Sequence, residues 1–364
     1  MATDTQTVRV NLAERSYDIQ IGTGNLATGG RFLADRAKVT HVALITDDHV
    51  QKPYAMRVAE CFGEQDIETD VIVVEPGEES KSLDVAEGLW QGMLDVGADR
   101  KTVVAAVGGG VVGDLAGFIA ATYARGLRFL QVPTSLLAQV DSSVGGKVGI
   151  NLPEAKNMVG AFLQPLGVLI DTATLATLPA NEYRAGLAEV VKYGAILDAK
   201  FFDYLEANAA ALNDRKEDVL IRVIARCCRL KADVVEKDER EETGLRAVLN
   251  FGHTYGHAFE SLSGYGTLLH GEGVAIGMVC AARLAERLGR VDAQFTARLR
   301  SLLQSLGAPV DVPPLDHQEI LDAMMHDKKV QHGTLHFVLP NRMGHVELVS
   351  HVDPADVRAA LENK

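Results

Sequence analysis

The sequence predicts an α/β N-terminal domain built on a Rossmann-like, mostly parallel sheet, followed by a mainly α-helical C-terminal domain. Three observations carry this. Short apolar runs recur at 41–46, 71–74, 101–107, 129–132 and 168–171, each of a length and composition suited to a strand covered on both faces. Segments with helical periodicity lie between them, so strand and helix alternate. Beyond Leu178-Pro179 the strand signal largely disappears and helical periodicity takes over, which divides the chain at 1–178 and 179–364.

Composition narrows the function. The chain has 364 residues, 47% of them hydrophobic, enough for a large core in two domains. It carries 49 acidic and 36 basic residues, a formal net charge of −13, so no chain-wide basic field exists to hold nucleic acid or an anionic membrane. An anionic substrate needs a local cluster of Lys and Arg instead. Cys61, Cys227, Cys228 and Cys280 show no C-x-x-C spacing and read as reduced, buried thiols of a cytoplasmic protein. The start of the chain has no apolar signal-peptide core, and no apolar run reaches the roughly 18 residues of a spanning helix.

The first elements, at 8–12 and 17–21, alternate apolar and polar residues around a polar turn, as in an antiparallel hairpin at a sheet edge. Residues 26–37 read as a helix. The strand at 41–46 ends in Asp47. A carboxylate there suits a ribose hydroxyl, or else caps the helix expected at 50–62; spacing does not choose. The strand at 71–74 runs into Pro76-Gly-Glu-Glu-Ser-Lys81, which places Glu78 and Lys81 at its carboxyl end, and a helix follows at 83–96.

Directly after the strand at 101–107 comes Gly108-Gly-Gly-Val-Val-Gly-Asp114, then a helix expected at 115–124. Glycines between a buried strand and a helix let backbone N–H groups approach a pyrophosphate. The pattern is not G-x-G-x-x-G and lies on a late strand, so the signal for a dinucleotide is modest. The strand at 129–132 leads into Pro133-Thr-Ser. Asp141-Ser-Ser-Val-Gly-Gly-Lys147 then reads as a glycine-rich loop, with Lys156 and Asn157 close behind. Lysines beside glycines suit phosphate. A P-loop is excluded, because Val148 follows Lys147 and no glycine stands five before Gly146.

In the C-terminal domain the helix at 182–197 carries Glu189 and Lys192 on one face. Such a pair is usually a solvated ion pair worth about 0.2–0.5 kcal/mol. This helix is apolar nearly all round, however, and a buried carboxylate needs a metal or a charge partner. Further helices are expected at 201–212 and 216–236. Arg246 and Asn250 then precede Asn250-Phe-Gly-His-Thr-Tyr-Gly-His-Ala-Phe-Glu-Ser261, and Leu269-His-Gly-Glu-Gly follows. His253, His257 and Glu260 share a helix face, and His270 opens another helix. The segment says metal, zinc for preference, without saying which side chains are ligands. It is no His-Glu-x-x-His protease motif, since Thr254 stands where the Glu belongs. A helix ending at 325–329, a hairpin at 335–348 and a last helix at 354–362 complete the chain.

Taken together, the motifs Gly-Gly-Gly-Val-Val-Gly-Asp, Pro-Thr-Ser-Leu-Leu-Ala-Gln-Val-Asp-Ser-Ser-Val-Gly-Gly-Lys, Lys-Asn-Met-Val-Gly-Ala-Phe, Ala-Glu-Val-Val-Lys-Tyr-Gly, Asn-Phe-Gly-His-Thr-Tyr-Gly-His-Ala and Leu-His-Gly-Glu resemble the 3-dehydroquinate synthase family, sugar-phosphate cyclases of the shikimate pathway. Val148 departs from the family, which usually has Thr or a similar small residue after the lysine. The resemblance implies Zn2+ or Co2+ held by Glu189, His253 and His270, with His257 an acid/base beside it. It implies NAD+ contacts at Asp47, Glu78, Lys81, Gly109, Gly110, Val111, Val112, Gly113, Asp114, Thr134, Ser135, Lys147, Lys156, Thr174, Leu175, Ala176 and Thr177. It implies substrate contacts at Arg125, Asp141, Lys147, Asn157, Lys192, Arg246, Asn250, and Lys328 or Lys329. A homodimer acting on a small sugar phosphate is expected.

The chemistry so implied is redox-neutral: transient oxidation of a heptulosonate phosphate by NAD+, β-elimination of phosphate, re-reduction, ring opening and an aldol closure to 3-dehydroquinate. Rival readings are another sugar-phosphate cyclase, a metal-dependent polyol dehydrogenase and a non-catalytic NAD-binding protein. Arg125, Lys147 and Arg246 speak against the dehydrogenase, which needs no phosphate clamp, and a three-ligand metal site has no purpose in the last.

Overall fold

A computed structural model describes residues 5–153, 155–264, 267–326 and 335–362. The chain forms two compact units: Met1–Leu178 with Leu220–Arg240, and Pro179–Val219 with Glu241–Lys364.

In chain order the first unit carries β1 (Gln6–Val10), β2 (Tyr17–Gly22), α1 (Gly29–Ala34), β3 (His41–Asp47), α2 (Met56–Gly63), β4 (Glu68–Val74), α3 (Leu83–Asp95), β5 (Val103–Gly108), α4 (Gly110–Thr122), β6 (Arg128–Pro133), β7 (Lys147–Leu152), β8 (Ala155–Phe162) and β9 (Gly167–Asp171). Seven strands form one sheet in the order β1-β2-β9-β6-β5-β3-β4. Every pairing in it is parallel except β1 with β2 at one edge. The apolar runs have their cause here. Successive side chains of a strand point to opposite faces, and both faces are covered. Ala43, Ile45, Val104 and Ala106 join a core with Leu89, Leu115 and Ile119. Val42, Leu44, Val103 and Ala105 join another with Phe32, Val58 and Phe62.

Several expectations change. The helix after the strand begins at Gly110 rather than 115, so Gly110 and Gly113 of the cluster lie inside it. Packing explains why glycine is tolerated there: a Cβ on Gly117 would stand 2.2 Å from Val148 Cγ1. The glycine-rich loop gives way at Lys147 to a hairpin, in which β7 and β8 pair antiparallel with Gly149 opposite Gly160. A Cβ on Gly160 would lie 2.2 Å from the Val148 carbonyl oxygen, so the two strands can meet only through glycine. The helix expected at 26–37 shortens to α1 behind a 3-10 turn, Asn25–Thr28. The helix expected at 50–62 opens with a π-helical turn, Gln51–Ala55, containing Pro53, which has no N–H to donate.

The second unit carries α5 (Ala180–Leu197), α6 (Ala199–Ala207) and α7 (Ala209–Asn213). Then α8 (Glu217–Val235) leads back, followed by α9 (His253–Leu262), α10 (His270–Arg287), α11 (Ala293–Ser305), α12 (His317–His326), the antiparallel pair β10 (His336–Arg342) and β11 (His345–Ser350), and α13 (Pro354–Ala359). Leu220–Arg240 clusters with the first unit, whereas the sequence division leaves it in 179–364. Its polar side chains show the reason. Lys231 Nζ donates to the Asp141 carbonyl and carboxylate at 2.7 and 2.9 Å, Arg229 reaches the Arg9 carbonyl at 2.5 Å, and Glu236 accepts from the Asn11 amide at 2.9 Å.

Among the described residues no helix is long and apolar enough to cross a membrane. Cys61, Cys227, Cys228 and Cys280 are buried and form no disulfide. Burial pushes the Cys228 and Cys280 thiols up to about 12.

Candidate metal centre and nucleotide-binding loops

In the second unit three helices approach to backbone contact through glycine. A Cβ on Gly271 of α10 would stand 2.0 Å from the Ala185 carbonyl oxygen of α5. One on Gly277 would stand 2.1 Å from the Gly252 carbonyl, and one on Gly256 of α9 would stand 2.9 Å from the Gly273 backbone. Gly252 caps α9 at φ 82°, a left-handed conformation that favours glycine. These contacts lock α5, α9 and α10 together and fix where Glu189, His253 and His270 emerge.

The three side chains converge. Glu189 Oε1 lies 3.8 Å from His253 Nε2 and 4.0 Å from His270 Nε2, too far for hydrogen bonds. Donors bonded to one ion at roughly 2.0–2.1 Å stand about 3.4 Å apart in a tetrahedron, so a contraction of about half an ångström would seat a cation. Glu189 is 1% exposed, and neither of its oxygens accepts a hydrogen bond of good geometry. Lys192, 2% exposed, forms an ion pair with Oε2 without that alignment. A buried carboxylate oxygen left without a hydrogen bond is costly unless a cation faces it.

The imidazoles are oriented for the same purpose. His253 Nδ1 is 3.2 Å from the Phe251 carbonyl oxygen, which can only accept, so Nδ1 carries the proton and Nε2 the lone pair. His270 Nδ1 lies 2.9 Å from Glu260 Oε1. A carboxylate or carbonyl behind each imidazole is the usual support of a ligating histidine. A second cluster, His257 with Glu260 and His270, is also compact enough for an ion. There, however, Glu260 and His270 Nδ1 already satisfy each other, which favours the Glu189 set. Burial alone would lower the His270 pKa. The hydrogen bond to Glu260 and the charges of Glu260 and Glu189 outweigh it, and the imidazole is held above its usual value. The residues present therefore fit a divalent cation.

Around this cluster, the His257 ring centroid stands 5.5 Å from that of His253 and 6.0 Å from that of His270. Arg246, 4% exposed, lies with Asn250 in the 3-10 turn Leu245–Asn250, its Nε 3.5 Å from Glu241 Oε1. Lys328 and Lys329 lie outside the described residues.

In the first unit the glycine cluster spans the carboxyl end of β5 and the first turn of α4, with Gly109 as its cap. Gly109, Gly110, Val111, Val112 and Gly113 thus bring helix N-terminal amides to the strand end, the usual place for a phosphate. Thr134 N donates to the Gly108 carbonyl at 2.9 Å and holds Thr134 and Ser135 beside the cluster. Asp47 Oδ1 accepts from the His49 and Val50 amides at 2.9 and 3.2 Å, so one of its oxygens caps the next turn. Thr174, Leu175 and Ala176 lie in a 3-10 turn, with Thr177 as its C-cap, and the Tyr54 hydroxyl lies 2.6 Å from Thr177 Oγ1.

Lys81, 4% exposed, donates to Asp114 Oδ2 at 2.8 Å and to Asn157 Oδ1 at 2.5 Å. Burial holds the Asp114 carboxyl above its usual range, against the pull of Lys81. Lys147 begins β7, and Lys156 and Asn157 lie on β8. Asn157 has φ 55°. Ala124 and Arg125 have φ 49° and 71°, a strained turn at the end of α4 that sets where Arg125 leaves the chain. Asp141 lies in the π-helical turn Ala138–Ser142, gripped by Lys231.

Sequence reasoning passed over Lys231 and over Glu260 as a support for His270. Lys231 had a signal, a lysine among Leu230, Ala232, Val234 and Val235, all buried here.

By fold and by this carboxylate–histidine cluster the chain falls in the class of sugar-phosphate cyclase-like proteins. A structure of 2-deoxy-scyllo-inosose synthase complexed with carbaglucose-6-phosphate, NAD+ and Co2+ superposes with a TM-score of 0.88 at 28% identity, covering 98% of this chain and 99% of that one. The 2-epi-5-epi-valiolone synthase of Streptomyces hygroscopicus, with NAD+ and Zn2+ bound, gives 0.87 at 29% identity, covering 96% and 97%. A probable glycerol dehydrogenase from Sinorhizobium meliloti, at 0.61 and 16% identity over 93% of each chain, shares the fold alone. The family models for the 3-dehydroquinate synthase N-terminal and C-terminal regions match residues 71–185 and 186–330. The 3-dehydroquinate synthase of Desulforamulus reducens is 50% identical over 98% of this chain and 99% of its own length, and that of Rhodopirellula baltica 48% over 98% and 96%. The chain belongs to the 3-dehydroquinate synthase family.

Proposed function

We propose that this chain converts 3-deoxy-arabino-heptulosonate 7-phosphate to 3-dehydroquinate and inorganic phosphate, as an NAD+- and Zn2+- or Co2+-dependent lyase of aromatic amino acid biosynthesis. The observation that carries the reading is the buried Glu189 carboxylate, without a hydrogen bond and faced by two imidazole Nε2 atoms, in a chain about 50% identical to relatives of that name.

When bound, the metal polarises a substrate oxygen, and NAD+ takes and returns one hydride. Glu189, His253 and His270 hold the ion. The N-terminal amides of α4, with Glu78, Lys81, Asp114 and Lys156, hold the nucleotide. His257, near the ligands but outside the chosen set, moves the proton of the reacting hydroxyl. Arg125, Lys147, Arg246 and a lysine of the 328–329 pair neutralise phosphate, Arg by bidentate geometry and Lys as a point charge. Lys192 offers its ammonium to the substrate carboxylate. Asp141, Asn157 and Asn250 orient hydroxyls. A cytoplasmic homodimer belongs to the same reading.

The test is phosphate release from the heptulosonate phosphate, with and without a chelator. Release without net NADH, abolished by the chelator, is expected. Stoichiometric NADH would support a dehydrogenase instead.

A further inference from the structure

Asn151 hydrogen-bonds to Glu78, Lys81 and Asn157 at once. Its Nδ2 donates to Glu78 Oε1 at 2.8 Å. Its Oδ1 accepts from the Asn157 amide at 2.8 Å. Its own amide donates to the Lys81 carbonyl at 2.7 Å. The ring closes without it: Lys81 Nζ reaches Asn157 Oδ1 at 2.5 Å and lies 3.5 Å from Glu78 Oε1. Asn157 sits at φ 55°, in the left-handed region that asparagine enters more readily than other non-glycine residues, so a hydrogen bond to its amide is enough to hold it there. The Asn151 side chain reaches across the β7–β8 turn and supplies that bond. An amide suits the place, since it donates to a carboxylate on one side and accepts from an N–H on the other.

We propose that Asn151 is a positioning residue that ties the nucleotide-side pair Glu78 and Lys81 to Asn157 on the substrate side. This rests on the function proposed above. Through Asn151, the Glu78 and Lys81 side of the nucleotide loops holds Asn157 in its left-handed conformation, and the sugar phosphate meets a site already set.

The experiment uses the full-length metal-loaded protein and reads NAD+ affinity by calorimetry, KM and kcat for the heptulosonate phosphate, and the melting midpoint. Asn151→Ala is expected to weaken NAD+ about fivefold or more, through the lost hydrogen bond to charged Glu78, and to raise KM similarly, through the lost bond from the Asn157 amide. The midpoint and metal content stay at wild-type values. Asn151→Asp keeps the acceptor for Asn157 but sets a carboxylate against Glu78, so it weakens NAD+ binding further. In a Glu78→Gln background that extra loss is expected to vanish, because Gln donates to Asp and the bond is restored with its roles exchanged. A merely structural role would not produce this rescue. An unchanged NAD+ affinity in Asn151→Ala, or an Asn151→Asp loss equal in both backgrounds, overturns the inference. Should Asn151→Ala fail to fold, the Asp and Gln pair decides alone. Failure of the wild-type protein to bind NAD+ at all would overturn the function itself.

Discussion

His270 Nδ1 lies 2.9 Å from Glu260 Oε1, which leaves Nε2 directed toward Glu189 at 4.0 Å. The carboxylate thus fixes the ring and its tautomer before any ion arrives. Glu260→Gln is expected to lower zinc affinity by about 10–100-fold, the range seen for supporting partners of metal ligands. Competition with a chromophoric chelator measures this. An unchanged affinity would mean that Glu260 only packs.

The same contact sets the pH dependence. With His270 raised above its ordinary value, the metal-free fold gains stability from its protonated form, complete below the unfolded pKa and lost as pH rises through the folded one. The ion needs the neutral ring. Zinc affinity therefore falls as pH drops through the raised value, by about tenfold per pH unit while one proton is displaced. Glu260→Gln shifts the onset to lower pH. Calorimetry across pH 5.5–8 checks both statements, and a flat profile would refute them.

His270→Ala and His257→Ala separate ligand from acid/base. The first is expected to lose metal on gel filtration. The second keeps it and loses roughly 10²–10⁴ in kcat. Equal metal loss in both would overturn the assignment.

Gly271→Ala probes the helix contact. Its Cβ would stand 2.0 Å from the Ala185 carbonyl oxygen, so α10 must move off α5. A cost of about 1–3 kcal/mol is expected, with weaker zinc binding, because His270 adjoins the displaced residue. Urea unfolding of the apo and zinc-loaded protein reads both.

How much of this was legible depended on whether the signal was local. The strands at 41–46 and 101–107 could be read because burial on both faces leaves alternate residues such as Val42 and Ala43 apolar alike. The start of α4 at Gly110 could not, since its glycines look like a loop until Gly117 is seen against Val148. The β7–β8 hairpin hid for a similar reason: Gly149 and Gly160 are required by each other, eleven positions apart, and each alone reads as a loop glycine. No pattern within α8 told which unit would receive it; the Lys231 to Asp141 contact spans 90 positions. In the metal cluster the spacing of His253, His257 and His270 left the ligands open. What supports one set over the other is contact at a distance: Glu260 stands behind His270, the Phe251 carbonyl behind His253, and Glu189 enters from a helix far back in the chain.

The central claim is a divalent cation on Glu189, His253 and His270, and anomalous scattering from a crystal grown with zinc and NAD+ tests it most directly. The account predicts one zinc peak within about 2.0–2.2 Å of a Glu189 oxygen and both Nε2 atoms. A peak on His257, Glu260 and His270 instead, or none at Glu189, would contradict it.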